Sequence, residues 1–242
     1  MKVSAGWFVS TPCDVEFIKH LHGLERNIQV SFYERQDLSW TLALSQYSDR
    51  VTSVHLPKGL SVSDYREGGV VDSLMDAFST DLFVVHPWAE DLEIIVDVVL
   101  EREKFCLCLE GFSLGKGKGG VINLIERFGK VMRTYPHIGL CVDFSHIETE
   151  VMSWQLVKAL LPYTKMLHVS TVVDGKPHRP MYSTLSTVLV RPLLNQFLQT
   201  PITSVKEVVV EYDKEFQKDL LKDTARLSEW VEEKRRKFKN DK

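Results

Sequence analysis

Cysteine is scarce in this chain of 242 residues, which has four. Cys106 and Cys108 are one residue apart, so both thiols fall on one face of a strand instead of in a zinc-knuckle turn. All four are expected to be buried thiols. Long apolar runs are also missing: each is far shorter than the roughly 20 residues that span a bilayer. The segment after Met1-Lys2 has neither an extended apolar stretch nor a small-residue cleavage site. A soluble, cytoplasmic protein with no membrane contact is therefore expected. Neither sign of charge dominates; the net charge of −3 supplies no bulk attraction for nucleic-acid phosphates, although a local basic groove would escape a global sum. A glycine-rich phosphate turn after an early strand is lacking too, since Thr11-Pro12-Cys13 stands there. The glycine-rich stretch 111–120 follows a later strand and has no paired Lys-Ser or Lys-Thr of a P-loop, so it reads as a mobile loop.

What the chain does have is a repeating pattern. With 44% hydrophobic residues and five Trp it can fill a sizeable core. Short β-branched or aromatic runs recur at 6–11, 28–33, 51–56, 82–87, 105–110, 138–143, 166–171 and 208–213. Most are apolar on both faces, as parallel strands covered by helices must be. Helical patterns lie between them. The clearest are 119–134, with Val121, Leu124, Ile125, Phe128 and Val131 on one stripe, and 148–161, with Val151, Trp154, Val157 and Leu161. Weaker candidates occupy 13–24, 35–47, 70–79, 89–101, 184–199 and 214–236, and Pro192 should kink or split its helix. Alternation without a break in composition predicts an α/β fold, a (β/α)8 TIM barrel with one closed parallel sheet over residues 1–242. An open doubly wound sheet is the alternative. Residues 232–242 read as a charged tail, a solvated helix end.

In a barrel the C-terminal strand ends share one mouth. Those ends carry His55, His86, Glu110, Asp143 with His146, His168 and Glu211. Buried together, so many ionisable groups call for a compensating charge, and a divalent cation supplies it. By strand parity, Cys106, Cys108 and Cys141 point inward if Glu110 and Asp143 do, so thiols would fill the floor beneath.

The order Glu110, Asp143-x-x-His146, His168, Glu211 resembles the xylose-isomerase-like barrel superfamily, which includes sugar epimerases and endonuclease IV, over nearly the whole chain. The resemblance implies that Glu110, Asp143, His168 and Glu211 hold one manganese, cobalt or magnesium ion. It also implies that Glu110 and Glu211 move protons during isomerisation or epimerisation of a sugar or sugar phosphate. His146 and His86 would contact substrate oxygens, and His178, in Asp174-Gly-Lys-Pro-His178, would reach a substrate oxygen or a second metal. Trp88 and Phe112 would wall the site or simply pack. The nuclease branch binds three zinc ions, and His55, His86 and His178 could supply part of that set; its Asp-x-His pair is Lys176-x-His178 here. The superfamily's usual Gly-x-Gly is replaced by Met181-Tyr182-Ser183. A non-catalytic barrel that binds a small molecule is the third reading. The oligomeric state is left open, a homo-oligomer included.

Overall fold

The apolar runs pair side by side until the last meets the first. The computed structural model describes residues 1–86, 91–111, 120–145, 159–173, 176–181 and 205–240. Its strands are β1 (Lys2–Phe8), β2 (Asn27–Ser31), β3 (Val51–His55), β4 (Leu82–Val85), β5 (Cys106–Gly111), β6 (Ile138–Asp143), β7 (Thr164–Val169), β8 (Thr171–Val173), β9 (Lys176–Arg179) and β10 (Glu207–Glu211). All but β8 and β9 form a closed barrel in the order β1-β10-β7-β6-β5-β4-β3-β2, every pairing parallel. Helices α1 (Pro12–Gly23), α2 (Thr41–Leu44), α3 (Val70–Phe78), α4 (Leu92–Leu100), α5 (Val121–Thr134) and α6 (Gln217–Asn240) lie between strands or follow the last one. This is the (β/α)8 barrel that the alternation predicted.

Strand parity divides the interior into two layers. Leu107, Leu109, Leu140, Val142, Val208 and Val210 face outward into the main core with the helices. The alternate positions Leu82, Val84, Cys106, Cys108, Cys141, Met166 and Val209 form a separate buried cluster within the barrel. Trp7, Phe32, Phe78, Phe83, Phe105 and Phe144 are each almost wholly buried, and each such side chain is worth roughly 1.5–3 kcal/mol. On the β10–β1–β2–β3 side the lining turns polar, with Ser4, Gln29, Thr52, Ser53 and Glu207 all buried. A register shift there pairs Ile28 with Val51 and Gln29 with Ser53, leaving Thr52 between them. The hydroxyls of Ser4 and Thr52 both reach Glu207 Oε1.

Several boundaries differ from expectation. The first strand runs over Lys2–Phe8 instead of 6–11, because pairing from Lys2↔Glu207 to Gly6↔Glu211 recruits the mixed segment before Gly6. Ser10-Thr11-Pro12 turns into α1 instead, with Pro12 at the first helical position and Asp14 accepting the Thr11 N–H at 2.9 Å. The single helix expected at 35–47 is a 3₁₀ segment Arg35–Trp40, the four-residue α2 and a second 3₁₀ segment Ser45–Arg50. Its apolar stripe is incomplete: Leu44 and Tyr47 are buried, whereas Leu42 is 86% exposed. Cys13 is also a correction: it is exposed on the first turn of α1, while the other three thiols are buried. The C-terminal helix extends into the charged tail as far as Asn240. The 112–119 part of the glycine-rich loop, most of the 148–161 helix and the 184–199 helix with Pro192 lie outside the described residues.

Candidate metal centre

The strand ends deliver a compact set of ionisable groups. Glu110 closes β5 beside three imidazoles: its Oε2 is 2.9 Å from His86 Nδ1 and 3.5 Å from His55 Nε2, and its Oε1 is 3.4 Å from His168 Nδ1. The same His168 nitrogen lies 3.2 Å from Glu211 Oε2 at the end of β10. Asp143 is level with His168 across the β6–β7 pairing. Donor atoms of Asp143, His168 and Glu211 lie within 4.8 Å of one another, and so do those of His55, Glu110 and His168. All five residues are buried.

Burial alone would push these carboxyls up, but the neighbouring imidazoles reverse the direction. Burial of Glu110 is outweighed by His55, His168 and His86, which hold it well below its ordinary value. Glu211 is likewise opposed by burial, yet His168, His178 and His55 bring it down to about 2. On His168 burial works against the proton, whereas Cys141, Glu211 and Glu110 favour it strongly enough to raise the ring well above its usual value. His86 moves the other way, lowered by burial and by the nearby His55.

Both ring nitrogens of His168 and Glu211 Oε1 are buried without a hydrogen bond. His168 belongs to two triads, one with Asp143 and Glu211 and one with His55 and Glu110, and each combines the oxygen and nitrogen atoms that a divalent cation takes as ligands. Asp143 is already oriented: its Oδ1 accepts the Ser145 N–H and O–H, each at 2.8 Å.

Of the residues singled out in sequence, Glu110, Asp143, His168, Glu211, His86 and His55 are brought together. His178 approaches from the hairpin β8–β9, close enough to act electrostatically on Glu211. It has φ +55°, a left-handed conformation uncommon outside glycine, and its carbonyl accepts the Asp213 N–H at 3.0 Å, tying the hairpin to the segment after β10. His146, Trp88 and Phe112 lie outside the described residues, as do Asp174 and Tyr182-Ser183. Sequence reasoning passed over the Ser145 contact, although Asp-x-Ser is an Asx-turn signature. It also passed over the hairpin, whose one local signal is the Asp174-Gly175 pair.

The molecule is thus a parallel (β/α)8 barrel with an acid and histidine cluster at its C-terminal mouth. No family model matches the chain, and no curated protein matches it in sequence. Among solved structures it is similar to one described as a D-tagatose 3-epimerase-like protein, with a TM-score of 0.59 and 14% identity, covering 98% of this chain and 100% of that one. At that identity the likeness concerns the fold alone. Among the described residues no helix is long and apolar enough to cross a membrane.

Proposed function

We propose that the protein is a divalent-metal-dependent isomerase or epimerase of a small keto-sugar or its phosphate, and that Glu110, Asp143, His168 and Glu211 are the ligands of its ion. The observation that carries this reading is the meeting of Glu110 and Glu211 on one nitrogen of His168, with Asp143 beside them. A divalent cation held there would bind the carbonyl and hydroxyl oxygens of an α-hydroxyketone and stabilise the negative charge that develops when the adjoining C–H ionises. Glu211, held low by His168, His178 and His55, is ionised across the neutral range, as a metal ligand must be. In this reading Glu110 and Glu211, on different strands, exchange protons with the reacting carbon, one taking the proton as a carboxylate and the other, protonated when substrate is bound, returning one. His86, His146 and His178 would orient substrate oxygens, with Trp88 as an apolar wall. The resemblance in fold to the epimerase-like structure supports the same reading.

One observation favours a second reading. His55 and His86 converge on Glu110 at 3.5 and 2.9 Å, so a second ion could share this carboxylate, as suits metal-assisted phosphodiester cleavage. Lys176, where the nuclease branch has an Asp, argues against the three-ion version. The deciding experiment follows deuterium incorporation from heavy water into a panel of keto-sugars and their phosphates, beside cleavage of DNA containing an abasic site. Metal-dependent exchange that vanishes in Glu211→Gln supports the isomerase. Cleavage without exchange transfers the assignment to the phosphodiesterase, and inactivity in both assays leaves a binding scaffold.

A further inference from the structure

The end of β1 and the loops after β2 and β3 build an aromatic and cationic rim across the mouth from β6. Phe8, the last residue of β1, has the inward parity of Ser4 and Gly6, and its ring lies 6.3 Å from that of His55. Tyr33, two residues beyond β2, packs edge-on against Phe8 at 6.5 Å. Lys58, in the loop after β3, places Nζ 2.6 Å from Tyr33 Oη and 3.8 Å from the centre of that ring. Its backbone N–H donates to the Tyr33 carbonyl at 3.1 Å, so the two loops are stitched together and the pair is held in place.

An ammonium can only donate, so Tyr33 Oη is the acceptor in this contact, and the phenolic hydrogen must point to a different acceptor. Tyr33 is 49% exposed, so solvent or a ligand can reach its ring edge. A full positive charge and an O–H donor thus stand 2.6 Å apart at the open end of a stack that starts at His55. The charge is also felt at His86, where Lys58 disfavours the proton. A group with several anionic oxygens, such as a phosphate ester, can accept from both donors at once.

We propose that the substrate is a keto-sugar bearing a terminal phosphate, with Lys58 and Tyr33 holding that phosphate and Phe8 flooring the path between it and the metal centre. The phosphate subsite rests on the isomerase reading for the identity of the remaining part of the substrate. Phosphate of a nucleic-acid backbone offers the same oxygens, and the test separates the two.

Calorimetric titration of the manganese-loaded protein compares dihydroxyacetone with dihydroxyacetone phosphate, ribulose with ribulose 5-phosphate, and a DNA duplex with an abasic site. The phosphorylated ketoses should bind at least about tenfold more tightly than their parents, and Lys58→Met should remove about tenfold or more of that preference. Tyr33→Phe should remove less, and Lys58→Arg should restore most of it, which separates charge from a structural role. Equal affinity with and without phosphate, failure of either phosphorylated ketose to bind, or a preference that survives Lys58→Met would overturn the subsite. Duplex binding that depends on Lys58, with no ketose phosphate bound, would overturn it in favour of a backbone phosphate. Deuterium exchange on unphosphorylated ketose without phosphate preference would sink the subsite and leave the isomerase standing; Lys58-dependent phosphate preference without exchange would do the reverse.

Discussion

Replacing Asp14 tests how the barrel is closed at its seam. The carboxylate of Asp14, only 3% exposed, accepts Trp7 Nε1 at 3.1 Å, the backbone N–H groups of Ser10 and Thr11 at 3.0 and 2.9 Å, the Thr11 hydroxyl at 2.8 Å and Lys214 Nζ at 2.7 Å. It therefore joins β1, the start of α1 and the segment after β10. Asp14→Ala would leave the indole N–H of the buried Trp7 without this acceptor, at about 1–3 kcal/mol. The lost helix-start contact adds about 1 kcal/mol, and the half-exposed Lys214 pair contributes less than that. Together these come to about 3 kcal/mol, or a fall in Tm of about 6–12 °C for a chain of this size. Burial pushes the Asp14 carboxyl up, but Lys214, Ser10 and Thr11 hold it below its ordinary value. Its stabilisation is thus complete above the unfolded pKa of about 3.9 and is lost as pH falls through the lower folded value. Urea unfolding of wild type and variant from pH 7 to pH 2 should show a gap that narrows at the acid end. A loss below about 1 kcal/mol at pH 7, or a constant gap, would refute this account of the seam.

Glu207 should behave in the opposite sense, because burial raises its carboxyl more than the hydroxyls of Ser4, Thr52 and Ser53 lower it. The folded state then holds its proton more tightly than the unfolded state, so stability falls as pH rises from about 4.5 through the folded value. Glu207→Gln should flatten this part of the Tm–pH curve and gain most at pH 8; a variant less stable than wild type at pH 8 would count against it. A thiol-reactive disulfide reagent should modify Cys13 quickly and Cys106, Cys108 and Cys141 only after denaturation. Fast modification of two or more thiols in the native protein would contradict the barrel interior described above.

The barrel was legible because its strands are apolar on both faces and alternate with helical stripes, a signal that Leu107, Leu109, Leu140 and Val142 carry through burial against helices. The placement of Glu110, Asp143 and Glu211 at the C-terminal strand ends was legible for a related reason, since parity and strand ends fix their height in a closed sheet. Less was readable where partners distant in sequence set the structure. Lys2–Ala5 became strand through pairing with β10, some 200 residues away, and no local pattern announces that. The convergence of His55 and His86 on Glu110 depends on three adjacent strands having the right stagger, which sequence spacing does not encode. The backbone of His178 is set by its bond to Asp213, again a contact between distant segments. Cys13 was misread because its residue type favours burial while its place on the first turn of α1 faces solvent.

The most direct test of the central claim is metal binding by the stripped protein. Protein freed of metal by chelator and titrated with manganese or cobalt should take up at least one tight equivalent in the wild type. Asp143→Ala and Glu211→Gln should weaken that equivalent by about a hundredfold or more while circular dichroism shows the barrel intact. A second equivalent that disappears in His86→Ala would favour the two-ion reading at Glu110. No binding by the wild type, or equal affinity in Asp143→Ala and Glu211→Gln, would contradict a metal centre at the mouth.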